Sequence, residues 1–161
     1  MSDKIFITGK PGCGKSTLIN KIINNIKNKY NIAGIITPET RKNNQRVGFK
    51  IIDLASGQEE VLASVDLKGK PRVSKYGVNI GGINRIVNKF LESFEKADYV
   101  FIDELGPMEL FSKDFKKMLD TLFDNYIFSV ITLFYNFAEI GIGIFLGLVV
   151  LYCIWQLFPK R

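Results

Sequence analysis

Eight consecutive residues carry the most specific chemistry in the chain: Gly9-Lys10-Pro11-Gly12-Cys13-Gly14-Lys15-Ser16. They satisfy the spacing G-x-x-x-x-G-K-[ST], in which glycines let the backbone curl so that successive N–H groups converge on phosphate oxygens. Residues 4–8 (KIFIT) before it form an apolar run of strand length. After it, Leu18, Ile19, Ile22, Ile23 and Ile26 recur at helical spacing, predicting a helix over 15–29 whose positive end faces the same anion. Lys15 is expected to reach the β- and γ-phosphates, Ser16 to ligate Mg²⁺, and Thr17 to add a phosphate contact. Cys13 fills an unconstrained position and reads as a small filler rather than a redox site.

A magnesium nucleotide site also needs a carboxylate at the carboxyl end of a buried strand. The run Tyr99-Val100-Phe101-Ile102-Asp103-Glu104 supplies two. An isolated acidic pair at a strand end usually just faces solvent. Following a phosphate loop, it predicts Asp103 in the Mg²⁺ shell and Glu104 polarising the attacking water. Lys15 and Glu104 are therefore the candidate catalytic residues. With no histidine in the chain, imidazole bases, serine or cysteine triads and imidazole metal ligands are excluded.

The elements needed to position these groups are legible in outline. Residues 33–37 read as a strand and those through Asn43 and Asn44 as a polar loop. Residues 47–54 and 59–63 read as strands around Ser56-Gly57, hence a hairpin or meander. Gly81-Gly82 precedes the stripe Ile83, Ile86, Val87, Phe90, Leu91 and Phe94, predicting a helix that ends near Ala97. Ser112 is placed to cap a helix over 113–123, with Asp114 in its first turn. Strands alternating with helices predict an α/β fold with a mostly parallel sheet covered on both faces.

Composition sets the remaining bounds. The 161 residues suit one domain, and a formal net charge of +6 raises the question of a polyanionic partner. The basic residues are scattered among acids, so no specific nucleic-acid binding is expected, while phosphate ligands suit the same balance. Cys13 and Cys153 stand at opposite ends and form no disulfide or metal pattern. A reducing, cytoplasmic location is the expectation.

Four stretches together resemble a known family: IFITGKPGCGKSTL, RVGFKIIDL, the KYGVN stretch at 75–79, and FIDELGPMELFSKDF. They are similar to the small nucleoside-triphosphatases of archaea and thermophiles, a family that includes the human cancer-related nucleoside-triphosphatase, over residues 4 to about 124. The resemblance implies a RecA-like P-loop NTPase core and Mg²⁺-dependent hydrolysis of ATP, GTP and other nucleoside triphosphates with loose base selectivity. It also implies that the segment Phe101, Ile102, Asp103, Glu104, Leu105 and Gly106 borders the nucleotide. Arg41, in the family-like stretch Thr37-Pro38-Glu39-Thr40-Arg41, either helps neutralise the γ-phosphate or forms a surface ion pair with Glu39. Two further readings stay open: a P-loop kinase of a small acceptor, and a membrane-tethered nucleotide-binding switch with little turnover.

The carboxyl-terminal part departs from that family. Residues 1–125 form the expected P-loop domain, with 126–133 available as a further strand, and hold 35 of the 38 charged residues. Residues 134–161 are a hydrophobic segment. Positions 140–158 carry no charge across 19 residues, which as a helix would span about 28 Å, close to the hydrocarbon thickness of a bilayer. Membrane association through 140–158 is the expectation, with a buried helix as the alternative. Lys160 and Arg161 follow the segment, so one crossing would set the positive-inside rule against a cytosolic nucleotide site. A fusion, a frameshift and a membrane-anchored variant each account for the departure.

Overall fold

The computed structural model describes residues 4–69, 71–124 and 128–133. The expected segment 140–158 lies outside the described residues; among those described, no helix is long and apolar enough to cross a membrane.

Among the described residues, nine strands join one sheet. In chain order they are β1 (Lys4–Ile7), β2 (Ile32–Ile36), β3 (Glu39–Lys42), β4 (Gln45–Asp53), β5 (Glu59–Ser64), β6 (Arg72–Val73), β7 (Tyr76–Val78), β8 (Tyr99–Leu105) and β9 (Phe128–Leu133). Their spatial order is β1-β9-β8-β2-β4-β5-β7-β6, with β3 paired to β4. Only β1, β9, β8 and β2 are parallel; the pairs from β2–β4 onward are antiparallel. The sheet is therefore mixed rather than mostly parallel. Short connections are the reason: a turn joins β4 to β5, and a parallel pair would need a crossover of a dozen or more residues.

The expected polar loop at Asn43-Asn44 is the tip of a β3–β4 hairpin. Both residues adopt left-handed conformations, φ 49° and 61°, the condition for a two-residue turn that matches strand twist.

Helices cover both faces of the parallel half. α1 (Lys15–Ile26) buries Ile19 and Ile23 against Phe101 and Val130. α2 (Ile80–Leu91) and α3 (Lys113–Asp124) cover the opposite face, where Ile83, Ile86, Phe90, Phe115 and Met118 meet Val100, Ile102 and Ile131. Successive residues of β8 thus point to opposite layers, and Asp103 follows Phe101 on the α1 side.

Caps fix where the helices start. The Asn79 side chain accepts the Gly82 N–H at 3.0 Å, so α2 begins at Ile80 and takes both glycines into its first turn. A Cβ on Gly82 would stand 2.9 Å from the Val61 carbonyl oxygen, which accounts for the glycine where the helix crosses β5. Ser112 Oγ accepts the Phe115 N–H at 3.0 Å and donates to Asn84 Oδ1 at 2.7 Å, capping α3 and tying it to α2.

Candidate active site

The phosphate loop runs from the end of β1 into α1 and depends on two left-handed glycines, Gly12 (φ 77°) and Gly14 (φ 99°). A side chain at either position would meet backbone strain. Gly14 is the residue before the first helical turn, and no side chain caps that turn. The first N–H groups of α1 are thus left for a ligand.

Lys15 turns back over the loop. Its Nζ donates to the Gly9 carbonyl at 2.9 Å and stands 3.7 Å from Glu104 Oε2. The ammonium is thus held at the mouth of the loop between a carbonyl and a carboxylate.

The acidic pair is fixed by threonines from two neighbouring strands. Thr37, just after β2, donates from Oγ1 to the Asp103 carbonyl at 3.0 Å and accepts the Glu104 N–H at 3.1 Å. Thr132 on β9 donates its hydroxyl to Asp103 Oδ1. The pairing of β8 with β9 slips between Ile102↔Ile131 and Leu105↔Leu133, so β8 carries one extra residue at the acidic pair. Such bulges re-aim side chains at the ends of strands.

A third carboxylate lies beneath. Glu109 is 4% exposed, and its Oε2 accepts the Gly106 N–H at 3.1 Å. Burial pushes its carboxyl up to about 8; the charges of Glu104 and Asp103 push the same way, and N–H donors from its own backbone and Gly106 oppose them. Glu104 is also raised, chiefly by burial, against the pull of Lys15 and with Asp103 adding to the rise. A raised carboxylate is a stronger base, the property a proton acceptor in hydrolysis needs.

Lys15, Thr37, Asp103, Glu104 and Glu109 open on one cleft of about 690 Å³. Pro11, Gly12, Gly14, Lys15, Ser16 and Thr17 line it from the loop, and Asp103, Glu104 and Gly106 from β8 and just beyond it. Three residues expected to border the nucleotide, Phe101, Ile102 and Leu105, are 1%, 1% and 0% exposed, belong to the core and do not line this cleft. In a strand covered on both faces, only the carboxyl end can reach the cleft. Gly9 contributes its carbonyl to Lys15, while Lys10 and Cys13 are exposed and are not among the lining residues.

Arg41 takes the ion-pair alternative. Its Nη2 donates to Glu39 Oε2 at 2.8 Å on the exposed β3 edge, and it does not line the cleft. The arginine that does is Arg46, bound to the other oxygen of Glu39 at 2.8 Å. Sequence reasoning gave no role to Arg46, Thr37, Thr132 or Glu109, although Thr37, Arg46 and Glu109 stand in the stretches that carry the family resemblance.

For Mg²⁺ the donors are suitable in kind. Ser16 offers a hydroxyl and Asp103 a carboxylate, both hard oxygen ligands. Among the described residues no group of three or more His, Cys, Asp or Glu could hold a metal ion. One carboxylate and one hydroxyl fit an ion that takes its other ligands from substrate phosphates and water.

Comparison with known proteins agrees with this geometry. A family profile described as NTPase matches residues 4–139. The nucleoside-triphosphatase THEP1 of Archaeoglobus fulgidus is 48% identical over 120 residues, covering 74% of this chain and 70% of the relative. That of Methanothermobacter thermautotrophicus is 42% identical over 119 residues, 73% and 68% of the two chains. The crystal structure of THEP1 from the hyperthermophile Aquifex aeolicus superposes with a TM-score of 0.71 at 34% identity, covering 81% of this chain and 76% of that one. The solution structure of a human cancer-related nucleoside triphosphatase gives 0.67 at 30% identity, covering 82% and 76%. A phosphate loop facing an acidic strand end, in a chain matched along most of its length by these proteins, identifies it as a member of the THEP1 nucleoside-triphosphatase family.

Proposed function

We propose that the chain hydrolyses nucleoside triphosphates to the diphosphate and phosphate in a Mg²⁺-dependent reaction with loose base selectivity. The observation that carries this reading is the approach of Lys15 Nζ to Glu104 Oε2, 3.7 Å across the mouth of the loop. It sets the cation for the β- and γ-phosphates beside the base for the attacking water. The position of β9 between β1 and β8 supports reading the core as RecA-like.

In this mechanism the loop N–H groups and the amino end of α1 hold the phosphate chain. Lys15 faces the β- and γ-phosphates, and its attraction to the substrate competes with that to Glu104. Glu104, fixed through its backbone by Thr37, orients a water in line with the γ-phosphorus and takes its proton as the new P–O bond forms and the bond from the γ-phosphorus to the bridging oxygen breaks, that oxygen leaving with the diphosphate. Ser16 and Asp103 would hold Mg²⁺, which when bound neutralises charge on the β- and γ-oxygens. Nothing in the sequence supplies a carboxylate dedicated to one base, so discrimination among bases is weak.

The test is phosphate release from ATP, GTP, CTP, UTP and TTP, with Mg²⁺ and with chelator. All five are expected to turn over with kcat/KM within about 100-fold of each other, below the discrimination that a dedicated polar readout delivers. Activity should vanish on chelation. A steeper preference or metal-independent turnover contradicts the proposal.

A further inference from the structure

The cleft continues past Glu104. Across the sheet, the phosphate loop follows β1, Glu104 stands on β8, and the cleft runs on over β2 to β4, β5 and β7. Ile36, Arg46, Phe49, Leu62, Val73 and Tyr76 line that far end. The rings of Phe49 and Tyr76 meet edge to face with centroids 5.4 Å apart. The Arg46 guanidinium carbon lies 5.3 Å from the Phe49 centroid and 5.9 Å from that of Tyr76, and Arg46 Nε donates to the Tyr76 hydroxyl at 3.1 Å. Glu39 pairs with both Arg46 and Arg41, so one carboxylate is shared between two guanidinium groups.

In-line displacement decides what this end can receive. The attacking oxygen and the leaving oxygen lie on opposite sides of the γ-phosphorus. With the water held by Glu104, the diphosphate and its nucleoside extend the other way, over the loop and α1. The wall beyond Glu104 is therefore not where the substrate's own base rests.

We infer that the wall formed by β4, β5 and β7 is the seat of a second small molecule, a flat ring bearing an anionic group, bound together with the triphosphate. The inference rests on the assignment of Glu104 as the base. The ring packs against Phe49, Tyr76 and the apolar side chains of Leu62 and Val73. Arg46 Nε is bound to Tyr76 and Nη1 to Glu39, so the anionic group meets the guanidinium at Nη2, through a single charge-assisted hydrogen bond. A ligand seated there stands on the side from which water attacks, so it slows phosphate release.

The experiment uses the full chain saturated with AMP-PNP and Mg²⁺, titrated calorimetrically with AMP, GMP, CMP, UMP and 4-hydroxybenzoate. The nucleotide arms and the aromatic acid arm separate a phosphate-bearing from a carboxylate-bearing ring. At least one probe should bind saturably with the loop filled, and R46A should weaken it by about tenfold or more, the loss expected for a charge-assisted contact. Y76F keeps the ring but removes the hydroxyl that orients Arg46, and should weaken it by a smaller factor. The same probe should lower phosphate release from ATP at saturating substrate. Absence of saturable binding by every probe, displacement of the probe by AMP-PNP, or equal affinity in R46A overturns the inference. The binding arm needs no turnover, so a wild type that fails to hydrolyse any triphosphate counts against the proposed function and leaves this outcome readable.

Discussion

Thr132 donates its hydroxyl to Asp103 Oδ1 from the adjacent strand, 29 positions further along the chain. The bond orients a carboxylate proposed to hold Mg²⁺, and groups that orient a ligand in this way typically affect metal affinity by 10–100-fold. Asp103→Asn should move half-saturation by Mg²⁺ to higher concentration. Thr132→Val should move it in the same direction, by about tenfold, the low end of that range. Magnesium titrations of phosphate release measure both, and curves that overlay the wild type refute the role.

Lys15→Ala removes the cation at the mouth of the loop. A charged contact to phosphate is worth about 1.5–3 kcal/mol, so triphosphate affinity should fall by roughly 10- to 100-fold, and hydrolysis with it. Direct binding of a fluorescent triphosphate analogue to the folded variant checks this. Undiminished affinity would remove Lys15 from the site.

Glu104→Gln should keep triphosphate binding and slow hydrolysis by about 10²- to 10⁴-fold, the usual contribution of a positioned base. The wild-type rate should rise with pH as Glu104 loses its proton, at a pH above the ordinary carboxylate range because burial raises it. The variant should lose that limb. Weakened binding with intact chemistry would make Glu104 structural.

Glu109 gives a pH dependence of stability. Its folded value is about 8 against an ordinary 4.5. The folded state therefore holds a proton that the unfolded chain has released between those values. Its contribution is fully present below about 4.5 and is lost as pH rises toward 8, with a slope of at most about 1.4 kcal/mol per pH unit. Denaturant unfolding from pH 5 to 8, with chelator and without nucleotide, should show this fall, and Glu109→Gln should flatten it. An unchanged slope in the variant would assign the pH dependence elsewhere.

The hydrophobic segment has its own test. The full chain should partition with lipid vesicles, and a version ending at Leu133 should not. That version must retain β9, because β9 lies between β1 and β8. Recovery of the full chain in the aqueous fraction without detergent would reject the membrane expectation.

What the sequence revealed was local. The loop from Gly9 to Ser16 and the strand ending in Asp103-Glu104 are written in consecutive residues, so spacing alone was enough to find them. The supports were hidden because they arrive from far away: Thr37 meets Glu104 across 67 positions, and Arg46 meets Tyr76 across 30. Each partner stands in a stretch that carries the family resemblance, but no spacing joins one stretch to the other. β3 was missed for another reason: its residues Glu39–Lys42 are polar and edge-bound, with no alternation to mark a strand. Its signal was the turn, two asparagines able to take left-handed conformations. The mixed sheet followed from connection lengths that alternation of strands and helices does not record.

The order β1-β9-β8 also bears on how the protein comes into being. The loop strand is the first of the described strands to leave the ribosome and the acidic strand the eighth, yet the two do not pair with each other in the finished sheet. Both dock on the ninth, which pairs with each in parallel. A nascent chain without residues 128–133 thus has both halves of its chemistry but lacks the strand that pairs with each, and the packing of α1 on Phe101 is left to join them. Pairings of such long range form slowly, since loop entropy is lost before contacts repay it. The strand that joins the two halves of the chemistry is thus also the last of the described strands to be synthesised.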